Sequence, residues 1–327
     1  MMAADGLCDY AFFDSLYGSY ANSLSNRTHN QYDKDLTTFM RAGARYNKTK
    51  LGVAFTSKRI LRATLDLRQN NSYGLAEFWD SNIIHVGILD TPEDMTGLEL
   101  QSALSFLKLL RDLASQNGHS SVTVLAGPFP GRDPAVSLVD EGRKLGFYPD
   151  FLVVYGHYPF GDRGLHNCTI MPPTLLSAVP LPVKIAKDYT YDLSSGPLSL
   201  RHLYARNTTV NGLVSVTMQG RWTTAAPGEP LDFYSRCEYV PYLLSFGSYT
   251  EVCTDRNYVS QLDYKAKHYT MLTHHSTQRD VFAYDNEEGL CAKLCKVKSK
   301  VPDVRFGIAV YDVDYDDFEN ECPLLNT

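Results

Sequence analysis

A chain of 327 residues, 44% hydrophobic and 21% charged, is long and apolar enough to bury one large core. Its 31 basic and 37 acidic residues leave a net charge of −6 without any Lys/Arg run that could follow a phosphate backbone, which excludes nucleic acid as a partner. No stretch approaches the roughly 20 apolar residues that cross a bilayer, so no membrane span is expected, and Met1 to Asp5 lacks the charged and apolar regions of a secretory leader.

Short apolar runs alternate with longer runs of helical period, the pattern of a parallel sheet built from βα units. In chain order the predicted strands are Cys8 to Phe13, Lys50 to Phe55, Ile83 to Leu89, Ser121 to Ala126, Phe151 to Tyr155, Gly212 to Met218 and Phe306 to Val313, largely apolar as strands buried on both faces should be. Between the third and fourth, a helix is predicted over Thr96 to Gln116. Thr96 and Glu99 form its capping box, Ala103, Phe106, Leu107, Leu110 and Leu113 its apolar stripe, and Asn117-Gly118 its stop. The next helix takes Asp133 as cap and Pro134 as first helical residue, carries Val136, Leu138 and Val139, and closes at Gly146. From about Trp222 to Asp285, Tyr, Cys and polar residues dominate and no clean helix stands out. Residues 223–285 are therefore read as a small α+β insertion before the last helix and strand, within a single domain over 1–327.

Seven cysteines are present and five fall in the last third, which suits a disulfide-stapled C-terminal region with one thiol left over. Cys291 and Cys295, four apart, are the only close pair; no metal-finger spacing occurs and no metal or cofactor is expected. Five glycosylation sequons, at Asn26, Asn47, Asn70, Asn167 and Asn207, exceed the roughly two that chance supplies and support a secreted, extracellular glycoprotein. Asp312, Asp314 and Asp316 alternate as in a calcium loop, but Asp317 and Pro323 stand where that loop needs Gly and Glu. His274-His275 lacks a ligand set, Gly127 to Gly131 lacks the Lys of a phosphate loop, and no G-x-S-x-G elbow occurs.

The run from Phe306 to Phe318, ending in Asp-Tyr-Asp-Asp-Phe before Cys322, resembles the final strand of chitinase-like proteins of glycoside hydrolase family 18. Tyr249 to Cys253 resembles that family's Glu-Val-Cys segment, Tyr284 to Glu287 the opening of its last helix, Val216 to Trp222 its seventh strand, and Leu7 to Tyr10 with Lys50 to Ala54 its second and third strands. Asp5 to Tyr10 and Phe13 to Tyr17 also resemble secreted chitinase-related proteins of ticks. The resemblance implies a (β/α)8 TIM-like barrel, without a counterpart for the first strand, and a Cys253–Cys322 bridge; it leaves Cys168, Cys237, Cys291 and Cys295 unassigned.

The family's enzymes carry Asp-x-x-Asp-x-Asp-x-Glu at the end of the fourth strand, where positions two apart face the same way into the barrel mouth. The corresponding segment here is His85 to Glu93. One register keeps Asp90 and puts Pro92 at the acid; the other keeps Glu93 and loses every Asp, so Asp90 and Glu93 are the candidate catalytic residues of this segment. On the sixth strand His157 and Tyr158 replace the Tyr and Asp that steady the substrate's acetamido group. Tyr311 replaces a Trp floor, and Gln219 a Tyr between the retained Met218 and Gly220-Arg221. The resemblance thus implies a catalytically inactive barrel that binds a glycan or a secreted or host protein, with His157, Tyr158, Met218, Gln219, Arg221, Trp222, Tyr311 and Asp314 lining the ligand groove. The alternatives are a glycoside hydrolase with Glu93 and Asp90 or Asp314 as a rearranged acid pair, and a structural secreted protein without a specific ligand.

Overall fold

The computed structural model describes residues 4–18, 22–25, 32–70, 73–93, 95–129, 131–159, 168–179, 191–206, 208–238, 245–262, 268–317 and 321–322. They group into two units, Met2–Val154 with His202–Gly212, and Tyr155–Arg201 with Leu213–Thr327.

The first unit alternates strands and helices: β1 (Tyr10–Leu16), α1 (Lys34–Gly43), β2 (Lys50–Phe55), α2 (Ile60–Asn70), α3 (Tyr73–Asp80), β3 (Ile83–Ile88), α4 (Gly97–Gln116), β4 (Thr123–Gly127), α5 (Arg132–Leu145) and β5 (Phe151–Val154). The five strands pair in chain order and all in parallel, with Phe13 opposite Val53, Val53 opposite Val86, Gly87 opposite Val124 and Leu125 opposite Leu152. Every residue of β4, and all of β2 after Lys50, is buried, which is why these strands read as unbroken apolar runs.

The helices follow from their caps and stripes. Asp33 caps α1 by accepting from the Leu36 amide at 2.8 Å, and Leu36, Phe39, Met40 and Gly43 form the buried face. On α4 the expected capping box is present, with Thr96 and Glu99 satisfying each other's backbone amides. Asp133 is not the cap of α5. Gly131, at φ 78° and ψ −154°, turns the chain into the helix two residues earlier, so Asp133 and Pro134 sit inside the first turn, where an acid and a proline are both well placed.

Further along lie α6 (Ser195–Tyr204) and β6 (Asn211–Thr217), and in the second unit β6 pairs in parallel with β13 (Gly307–Tyr311), Val216 opposite Val310 and Thr217 opposite Tyr311. β13 ends before Val313, because Asp312 takes a left-handed conformation (φ 56°) that turns the chain into a 3-10 turn at Val313–Tyr315.

Residues read as an insertion hold most of a second, antiparallel sheet. It comprises β7 (Gly220–Ala225), β8 (Cys237–Glu238), β9 (Phe246–Gly247), β10 (Tyr258–Leu262), β11 (Met271–His275) and β12 (Asp280–Tyr284), with the short helix α7 (Thr250–Cys253) between β9 and β10. The order is β10-β11-β12-β7-β8, with β9 also on β7. One face packs Ala225, Val281, Ala283 and Leu272 with Ile170 and Phe233; the other packs Phe282 and Tyr284 with Val252, and Trp222 and Tyr258 lie against them. Gly220 is required at the start of β7: a Cβ there would stand 2.0 Å from Phe282 Cζ. Helix α8 (Glu287–Lys300), capped by Asn286, leads to β13.

Two disulfides are present, the Cys253–Cys322 bridge that the resemblance implies and Cys168–Cys237, while Cys8, Cys291 and Cys295 are free. Asn47 is exposed in a turn; Asn26, Asn167, Asn207 and the Asn70 side chain lie outside the described residues. No described helix is long and apolar enough to cross a membrane.

Candidate functional site

In the second unit, the segment after β5 and the ends of β6 and β13 carry most of the residues expected to line a groove. Their parallel register brings Thr217 beside Tyr311 and leaves the side chains beyond each strand end as neighbours. His157, 1% exposed, is at the centre. Its Nδ1 lies 2.7 Å from Ser215 Oγ, which also accepts from the Gly156 amide at 2.9 Å. Either atom can be the donor in the Nδ1–Oγ contact, according to the imidazole tautomer, and the other ring nitrogen is Nε2. That atom is buried and finds no hydrogen-bond partner among the described residues.

Aromatic rings close around this histidine. Tyr311 lies 4.7 Å and Tyr155 5.5 Å from it between ring centroids, and Tyr155 meets Tyr311 edge-on at 5.8 Å. Tyr158 packs on Tyr191 at 5.6 Å, and the Arg221 guanidinium sits over the Tyr158 ring at 5.5 Å. His157, Tyr158 and Arg221 are all buried, so three residues expected to line an open groove instead fill packed space. Met218, Gln219 and Tyr311 remain half-exposed beside them, and Asp314 is exposed in the 3-10 turn.

Trp222 belongs elsewhere. Alternation along β7 sends Arg221 and Trp222 to opposite faces of the second sheet. Trp222 packs on Phe282 at 4.6 Å and Tyr258 at 5.7 Å, and its Nε1 donates to the Glu251 carboxylate at 3.0 Å.

Asp312 figures in the sequence only in an incomplete calcium-loop pattern and not among the residues expected to line the groove. Its carboxylate accepts from Thr217 Oγ1 at 2.6 Å, and burial raises its pKa against that hydrogen bond, with the Asp314 charge adding to the rise. The register of β6 against β13 was the available signal, because a polar residue just beyond Tyr311 must meet the end of β6.

Asp90 and Glu93 lie in the first unit. Asp90 accepts from Thr56 Oγ1 at 2.5 Å and from the Ser57 amide at 2.7 Å, while Ser57 Oγ donates to its carbonyl at 2.9 Å, so its carboxylate ties the loop after β3 to the turn that begins at Ser57. Thr91 is buried and donates to the Ala126 carbonyl at 2.7 Å. Glu93 is exposed. Among the described residues, no group of three or more His, Cys, Asp or Glu side chains is placed to hold a metal ion.

Burial pulls His157 down to about 3, and burial with the nearby Lys50 charge pulls His85 down to about 4. An unfolded histidine titrates near about 6.5, so between that pH and the folded values the unfolded chain binds more protons. Each group's contribution is whole above about pH 6.5 and is lost on acidification, by up to about 1.4 kcal/mol per pH unit. Urea midpoints measured from pH 7 to 5 are expected to fall, and the fall to be shallower in His157→Gln. An equal slope in the variant would show that His157 charges in the folded state.

No family model and no curated protein matches the sequence. Solved structures do match. An immunomodulatory active chitinase from Trichuris suis, TsES1, superposes with a TM-score of 0.66 at 14% identity, over 99% of this chain and 89% of that one. The Group IV chitinase of Ostrinia furnacalis gives 0.62 at 17% identity over 97% of each chain. A GH18 chitinase from Cycas revoluta in complex with (GlcNAc)3 gives 0.64 at 11% identity, over 94% of this chain and 88% of that one. Chitinase ChiA74 from Bacillus thuringiensis gives 0.58 at 15% identity over 88% of this chain, which spans 50% of that longer protein. At these identities the likeness establishes architecture: the chain has the (β/α)8 TIM-like barrel fold of the GH18 chitinases.

Proposed function

We propose that this chain is a secreted, disulfide-bonded chitinase-like protein that does not hydrolyse glycosidic bonds and instead binds a glycan containing N-acetylglucosamine. The observation that carries the reading is the sealing of the segment after β5. Where the resemblance places the enzymes' substrate-steadying Tyr and Asp stand His157 and Tyr158, both buried, with the histidine uncharged at neutral pH. A sugar cannot reach them without displacing packed rings. Asp90 supports the same conclusion, since its carboxylate is engaged by Thr56 and Ser57 and Pro92 follows where an acid would have to stand to protonate a leaving oxygen.

For the ligand class, the Cycas revoluta chitinase is solved with (GlcNAc)3. This chain keeps half-exposed Met218, Gln219 and Tyr311 at the strand ends, and half-exposed Trp222 and Tyr258 beside Glu251 on the second sheet, as apolar platforms with polar edges. Two disulfides and the exposed sequon at Asn47 support the extracellular compartment. We read 1–327 as one barrel domain with 223–285 inserted.

A second reading, a hydrolase with a rearranged acid, is favoured only by the raised pKa of Asp312. The test combines turnover of a fluorogenic chitooligosaccharide, with an active chitinase alongside, and binding to an array of GlcNAc oligomers. Turnover at the blank level with saturable glycan binding is the expected result. Turnover that vanishes in Glu93→Gln or Asp312→Asn would replace this reading with the hydrolase. No turnover and no glycan binding would leave a secreted or host protein as the partner.

A further inference from the structure

Helix α8 buries one face and carries two sulfurs on the other. Gly289, Lys293 and Val297, at four-residue spacing, are its buried residues. Cys291 and Cys295, also four apart and one turn from each other, are exposed and free, while four other cysteines are held in disulfides.

Helical geometry decides what such a pair suits. Residues four apart hold their Cβ atoms about 5–6 Å from each other. An unstrained disulfide needs Cβ atoms about 3.5–4.5 Å apart, so closing one here would distort the helix. A metal ion held between the two sulfurs imposes no such demand: at about 2.3 Å per metal–sulfur bond the sulfurs span up to about 4.6 Å, within reach of side chains at this spacing.

Coordination number narrows the ion. No third His, Cys, Asp or Glu among the described residues joins the pair in a metal-holding group. Two thiolates alone leave a tetrahedral zinc ion half-coordinated and give nothing to a hard, oxygen-seeking cation. They match a soft cation that is content with two sulfur ligands in line. We propose that Cys291 and Cys295 form a two-thiolate site for a soft monovalent cation of the Cu(I) type. On binding, two S–H bonds break, two sulfur–metal bonds form and two protons pass to solvent; no electron is transferred. The site does not depend on the glycan reading.

The test uses the full-length protein with its disulfides intact. Native mass spectrometry with Ag(I), the air-stable analogue, is followed by Cu(I) titration against a competing chromophoric chelator. One cation per chain is expected. Cys291→Ser and Cys295→Ser are each expected to weaken it by more than the roughly 10- to 100-fold that loss of a supporting partner costs a metal site, with Cys8→Ser unchanged. No bound cation, binding that survives either substitution in the pair, or a purified protein lighter by two hydrogens with Cys291 and Cys295 oxidised to each other would each overturn the proposal.

Discussion

Replacing Cys253 and Cys322 together by serine is expected to lower the unfolding free energy by about 4 kcal/mol, the loop-closure value for a ring of this size. The bridge joins residues 69 apart, from α7 to a segment whose Cys322 and Glu321 amides both donate to the Asp317 carboxylate. Cys322 is fully buried, so the double variant also places a hydroxyl where nothing else is wet. Urea unfolding of the variant and the parent measures the loss. A deficit below about 1 kcal/mol would mean that the unfolded chain is already compact enough to make the tether redundant. Cys291→Ser, on the exposed face of α8, is the matched control and should stay within about 0.5 kcal/mol of the parent.

A loss of similar size, about 3–5 kcal/mol, is expected for Lys293→Met. Lys293 is completely buried, and its ammonium donates to the Thr174 carbonyl and to Thr270 Oγ1, each at 2.7 Å, and to the Asp285 carboxylate. Burial lowers the lysine's pKa and the Asp285 charge opposes that shift, so each ion makes the other tolerable. Removing only the lysine strands a carboxylate whose Oδ2 already has no hydrogen-bond partner among the described residues. The double variant Lys293→Met/Asp285→Leu removes both charges and is expected to be less destabilised than the two single losses summed, a positive coupling readable from a double-mutant cycle. Strict additivity would show that the two groups do not act as a pair.

The barrel strands were legible because burial on both faces writes them as apolar runs. Lys50 to Phe55 matches β2 from end to end, and the others slide by one to three residues at their ends. The second sheet was not legible strand by strand. Its strands are short and antiparallel and alternate faces, so β10 reads Tyr-Val-Ser-Gln-Leu and β11 Met-Leu-Thr-His-His, sequences without a run or a helical period. Two residues hid the start of α5, since the cap was sought in Asp133 while the turn depends on the positive φ of Gly131.

For the candidate site, the sequence proposes positions but carries no signal of their exposure. His157, Tyr158 and Arg221 fall at strand ends, where a side chain that lines an opening and one that fills it have the same spacing. The rings of Tyr155, Tyr191 and Tyr311 decide between the two, and the last two come from distant parts of the chain. Lys293 was invisible for the same reason: a lysine on an amphipathic helix normally marks the solvent side, and its partners Thr174 and Thr270 lie outside that helix.

The two disulfides follow one another along the chain without overlapping, and this sets an order of events during synthesis. Cys168 and Cys237 are both out before Cys253 emerges, so the first ring can close before any cysteine of the second ring or of α8 is present. Cys253 has no such privacy. Its first new neighbours are Cys291 and Cys295, and its native partner, Cys322, arrives after both. A premature bond from Cys253 to either helix cysteine must be undone by thiol–disulfide exchange before the second ring can form. Early formation of α8, which carries both cysteines outward on its exposed face, would keep them from competing, so the time at which this helix forms bears on how cleanly the chain oxidises.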